Sequence, residues 1–130
     1  MKKAFLVFCF IAATALAAAL PLAAQSAGTL KDVTFSQADG KAVFLIKVEG
    51  EFTYETSLLA MPRRLIIDLT PLDKIAAPPY LQVNTSGVVS VRTGQFKPQT
   101  ARVVFDLNDE DFTQNISASE GGLIISFSAA

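Results

Sequence analysis

From Leu30 onward, apolar residues return at every second position in short runs separated by turn residues. A period of two is satisfied by strands that bury one face and solvate the other. Val33 and Phe35 lead into Asp39-Gly40, a dipeptide suited to a two-residue hairpin. Phe44, Ile46 and Val48 follow, then Phe52, Tyr54, Thr56 and Leu58, and after Met61-Pro62-Arg63 come Leu65, Ile67 and Leu69. The second half repeats the plan with Val89 and Val91, a turn near Lys97-Pro98, and Val103, Phe105 and Leu107. A turn at Asn108-Asp109-Glu110 precedes Phe112 and Ile116, and Gly121-Gly122 precedes Leu123, Ile125 and Phe127. No segment of this region has a helical period, so the pattern predicts an all-β sandwich.

The halves also resemble each other. Val33 stands 58 residues before Val91, and Gln37 the same distance before Gln95. "EFTYET" at 51–56 answers "DFTQNI" at 111–116, and "LIIDL" at 65–69 answers "LIISF" at 123–127. The expectation is two four-stranded sheets packed face to face with pseudo-two-fold symmetry. Thr70–Ser86, with Pro71, Pro78, Pro79 and Tyr80, reads as a crossover between the halves.

Residues 1–26 read as a signal peptide. Lys2 and Lys3 precede an apolar stretch at 4–20 interrupted by Thr14, then Pro21 and the small-residue run Ala23-Ala24-Gln25-Ser26-Ala27, with the cut after Ala24 or Ser26. Residues 27–130 are then one exported domain, with no membrane insertion once the signal is removed. Its loss removes Cys9, the sole cysteine, so burial and not a disulfide must stabilise the domain. It also removes two lysines, leaving 9 basic against 12 acidic side chains and a formal charge of −3. That balance disfavours nucleic acid or anionic lipid as the main partner.

The sequence contains no histidine. Ser/His and Cys/His nucleophile systems and histidine-based zinc sites are therefore excluded. Asn108-Asp109-Glu110-Asp111 is a dense acidic run, but it lacks the glycine of a calcium loop and suits a hairpin turn. Carboxylate pairs such as Glu49 with Glu51, or Asp68 with Asp106, remain open as hydrolytic pairs, although turn and ion-pair roles are simpler. No catalytic residue, metal or cofactor is expected.

The phrase "RLIIDL" at 64–69 returns as "RVVFDL" at 102–107. On a strand, Leu65, Ile67 and Leu69 share one face while Arg64, Ile66 and Asp68 share the other; Arg102, Val104 and Asp106 are placed likewise. Charges four residues apart lie about 13 Å apart at roughly 3.3 Å per residue, so they need partners on another strand. If the two strands are antiparallel neighbours with Ile66 opposite Val104, Arg64 faces Asp106 and Arg102 faces Asp68. Such pairs are worth about 0.2–1 kcal/mol each, enough to fix register.

"MPRRLIIDL" at 61–69 and "VVSVRTGQFKPQTARVVFDL" at 88–107 resemble the AMIN domain. This is the non-catalytic module at the front of bacterial periplasmic N-acetylmuramoyl-L-alanine amidases and of type IV pilus secretins. The matching pieces are Pro62, Arg64 and Asp68, then Val91-Arg92, Gly94-Gln95-Phe96 and Arg102 to Leu107. The resemblance implies a periplasmic sandwich that binds peptidoglycan and localises its host at envelope sites. The sequence reaches Ala130 with neither an amidase domain nor a secretin pore, so the expected role is recruiting a separate protein, marking the wall, or serving an envelope machine. Peptidoglycan offers sugar faces for aromatic rings and stem-peptide carboxylates for arginine. The candidate ligand-binding residues are Arg92 and Phe96, followed by Arg64 and Arg102. Alternative readings are a protein-interaction subunit of a secretin, pilus or amidase assembly, joined through a sheet edge, and an apolar-ligand carrier with a cavity between the sheets.

Overall fold

The computed structural model describes residues 27–129; the expected signal peptide, residues 1–26, lies outside the described residues. The strands are β1 (Gly28–Ala38), β2 (Lys41–Glu49), β3 (Thr53–Ala60), β4 (Arg63–Thr70), β5 (Leu72–Ile75), β6 (Tyr80–Thr85), β7 (Val88–Lys97), β8 (Thr100–Leu107), β9 (Phe112–Ser119) and β10 (Gly122–Ala129). One sheet has the order β5-β1-β2-β10-β9 and the other β3-β4-β8-β7-β6.

The period-two pattern is borne out directly. Along β8 burial alternates at every residue, with Ala101, Val103, Phe105 and Leu107 inward. Asp39 and Gly40 both take positive φ, 52° and 75°, which gives the twist that a tight hairpin requires. The sheets face each other across a core in which Phe44 and Phe127 of one meet Phe105 of the other, at centroid separations of 5.0 and 5.5 Å. All three rings are fully buried, along with Leu30, Ile46, Leu65, Ile67, Leu69, Leu123 and Ile125.

The internal repeat survives in the strand order and in the register. Reading the second sheet backwards, β6-β7-β8-β4-β3, sets β7 against β1, β8 against β2, β4 against β10 and β3 against β9. Between β4 and β8, Leu65 faces Phe105, Ile67 faces Val103 and Leu69 faces Ala101. The matching positions between β10 and β2 pair Leu123 with Ile46, Ile125 with Phe44 and Phe127 with Ala42.

Two expectations need correction. The sheets have five strands each, not four, because the expected crossover contains β5 and β6. Prolines break Thr70–Ser86 into pieces too short to show a period, yet Leu72 is fully buried and Leu81 and Val83 pack on the core. These added strands differ in direction: β5 joins β1 in parallel, whereas β6 joins β7 antiparallel. The second correction concerns Val89, read as inward beside Val91. A register shift between Val88 and Ser90 instead turns Val88 and Val91 into the core and leaves Val89 exposed. An extra residue in one strand of a pair has this effect.

Strand β3 is the outlier. Every one of its residues is exposed, so it overhangs the core at a sheet edge and presents both faces to solvent.

Candidate binding site

β4 and β8 are antiparallel neighbours with Ile66 opposite Val104, Arg64 opposite Asp106 and Asp68 opposite Arg102, the arrangement that the doubled phrase predicts. Arg102 holds Asp68 side-on: Nε donates to Oδ1 at 2.8 Å and Nη2 to Oδ2 at 3.0 Å. Asp106 is more crowded. Arg64 Nε lies 3.2 Å from its Oδ1, but that nitrogen is buried and makes no aligned hydrogen bond. The aligned bonds come from Arg92 on β7, whose Nε reaches Oδ2 at 2.8 Å and Nη2 reaches Oδ1 at 3.1 Å. Ser90 Oγ also donates to Asp106 Oδ2, at 3.2 Å. Ser90, two residues from Arg92 on β7, shares its outer face and stands directly opposite Asp106.

The electrostatics follow the geometry. Burial pushes the Asp106 carboxyl up, but the hydrogen bond and charge of Arg92, then Ser90 and the charge of Arg64, outweigh it and hold the group below the usual carboxylate range. The hydrogen bonds to Asp106 and Asp68 raise Arg92 and Arg102 above their ordinary value, so both are permanently charged.

Phe96 lies beside this network. The Arg102 Cζ sits 3.5 Å from its ring centroid, and Lys97 Nζ is 5.5 Å away. A guanidinium over a ring at an exposed site contributes about 0.5–1 kcal/mol. Arg102 is therefore fixed twice, along one edge by Asp68 and over one face by Phe96. The turn carrying Phe96 is anchored in turn: Gln95 Nε2 donates its two hydrogens to the carbonyls of Leu72 at 2.8 Å and Lys97 at 2.9 Å, with the Thr100 carbonyl also near, at 3.2 Å.

Between these groups lies a depression of about 210 Å³ lined by Arg92, Thr93, Gly94, Gln95, Phe96, Arg102 and Val104. Gly94 explains the space. It lies between Arg92 and Phe96 along β7 and directly opposite Arg102, and a Cβ there would meet nothing within 4 Å. Three of the expected residues, Arg92, Phe96 and Arg102, thus meet around one cleft. Arg64 does not line it and acts through Asp106. Sequence reasoning missed Gly94 as the floor of this cleft, although a glycine inside a strand pattern signals a gap or close approach. Tyr80 of β6 stands opposite Arg92 and is exposed, at the outer margin of the same face.

Fold and side-chain set define a class: a small all-β module with neither histidine nor cysteine among the described residues, and an arginine-lined cleft on one sheet. The family model of the AMIN domain matches residues 32–127, and the chain belongs to that family. AMIN domains are non-catalytic modules associated with peptidoglycan binding and with secretin and amidase machinery. Among curated proteins, none matches the chain.

Proposed function

We propose that this chain is a non-catalytic periplasmic module that binds peptidoglycan through the outer face of β7 and β8, exported by residues 1–26 acting as a signal peptide. The observation that carries the reading is the convergence of Arg92, Phe96 and Arg102 on the space above Gly94. Charge-assisted hydrogen bonds from arginine are strong and directional, and a wall polymer supplies carboxylates to receive them. Co-sedimentation of the domain, residues 27–130, with insoluble sacculi tests it. Arg92→Ala is expected to weaken binding severalfold with little change in melting temperature, because Asp106 keeps Arg64 and Ser90. A domain that stays in the supernatant at low and moderate salt refutes wall binding.

A second reading, an accessory subunit of an envelope assembly, is favoured by β3. Among the described residues its outer edge is unpaired, and Tyr54, Leu58, Leu59 and the adjoining Met61 are exposed. Exposed edges are templates for strand addition. The carrier reading has no such support, since the space between the sheets is filled by Phe44, Phe105 and Phe127.

A further inference from the structure

We infer that the Gly94 cleft recognises a free carboxylate of the peptidoglycan stem peptide and not the glycan strand; the inference rests on the wall-binding reading above. The orientation of the arginines is the first argument. Among the described residues, Arg92 and Arg102 each bind an aspartate through Nε and Nη2 alone. A guanidinium has five donors in a fixed fork, so each keeps its Nη1 edge for another acceptor. Both planes are held before a ligand arrives, which lowers the ordering cost of binding.

The second argument is charge. The ion-paired cluster contains Arg64, Arg92 and Arg102 against Asp68 and Asp106, one positive charge in excess, and the flanking Glu55 opposite Asp68 and Lys97 beside Phe96 offset each other. A single carboxylate balances it, whereas a neutral sugar leaves it unanswered. Shape supplies the third argument. Sugar rings bind by lying on an open aromatic face, but Arg102 already occupies one face of Phe96, at 3.5 Å. Phe96 therefore serves as a platform for the arginine. Together with Val104 it lends the cleft an apolar wall, suited to the methyl group of an alanine whose carboxylate meets the two guanidinium groups.

The probes are sacculi, untreated or with their free carboxylates converted to neutral amides by carbodiimide and ammonia. The domain is expected to bind untreated sacculi at least ten times more tightly than amidated ones, and a soluble stem peptide ending in a free carboxylate is expected to compete. Equal binding to both forms overturns the carboxylate assignment and leaves wall binding standing. No binding to untreated sacculi overturns the wall-binding reading and the assignment with it. Gly94→Val is the matching variant, since it fills the cleft without altering charge and its Cβ has open space. It is expected to weaken binding to untreated sacculi at least fivefold, with an equal or higher melting temperature because valine favours strands. Undiminished binding by Gly94→Val overturns the location. Ser36→Val, at the matching position of the other sheet, is the control and is expected to bind as the unaltered domain does.

Discussion

Arg92, Gly94, Arg102, Val104 and Asp106 on the outer face of one sheet correspond, strand for strand and pair for pair, to Thr34, Ser36, Val43, Leu45 and Lys47 on the other. The pairs Arg92–Val104 and Gly94–Arg102 have the same register as Thr34–Leu45 and Ser36–Val43. One face carries an ion-pair network around a cleft; at the matching positions the other carries hydroxyls, aliphatics and a single lysine. Inward, the two sheets are alike, with Leu65, Ile67 and Leu69 answered by Leu123, Ile125 and Phe127. What the sheets bury is thus common to both, and the ion pairs that align β4 with β8 are peculiar to one. That difference separates the cost of folding from the requirements of a ligand.

The sharpest way to break the comparison is to write the network onto the plain face. Gly122 occupies the position that corresponds to Arg64, and any Cβ there would overlap the Ile46 carbonyl oxygen. Gly122→Arg is expected to cost about 3 kcal/mol or more, read as a large fall in melting temperature. An unchanged melt would mean that the backbone opens there and that the faces are more interchangeable than their register implies.

A smaller effect distinguishes two matching sites on the central strands of the two sheets, β8 and β2. Asp106→Ala leaves Arg64, Arg92 and Ser90 without their shared acceptor and is expected to cost about 1–3 kcal/mol by chemical denaturation. Lys47→Ala, its counterpart, is expected to stay within about 0.5 kcal/mol. Equal losses would show that the network contributes nothing beyond an ordinary surface position.

The smallest effect is a pH dependence. Because the folded Asp106 carboxyl is held below its ordinary value, its contribution is complete above the unfolded value of about 3.9 and is lost as pH falls through the lower folded value. The stability gap between the unaltered domain and Asp106→Ala is thus constant near neutrality and narrows below about pH 4. A gap that stays constant into strong acid would show that Asp106 is not held by its arginines.

Much of this architecture can be read in advance, and the parts that cannot have physical reasons. The eight longer strands are legible because each alternates over several residues. The β4–β8 register is legible because a single antiparallel offset brings both arginines to both aspartates. β5 has four residues, and prolines bound it and precede β6, so neither shows a period. The outward turn of Val89 follows from a backbone irregularity that no side-chain pattern records. Arg92 could be nominated as exposed, but its hold on Asp106 depends on how a third strand joins the pair. Gly94 was visible as a residue, yet its meaning lies in what surrounds it.

Gln95 has a kinetic consequence. Its amide spans from the β7–β8 turn to the carbonyl of Leu72, on a strand of the opposite sheet, and Leu72 N answers with a bond to Gln99 O at 2.9 Å. The rim of the cleft is thereby tied across the sandwich. If the cleft binds as proposed, its ligand needs no loop to close, and association is expected to be a single encounter with a site already formed. Differences between ligands would then be expressed mainly in how long each one stays.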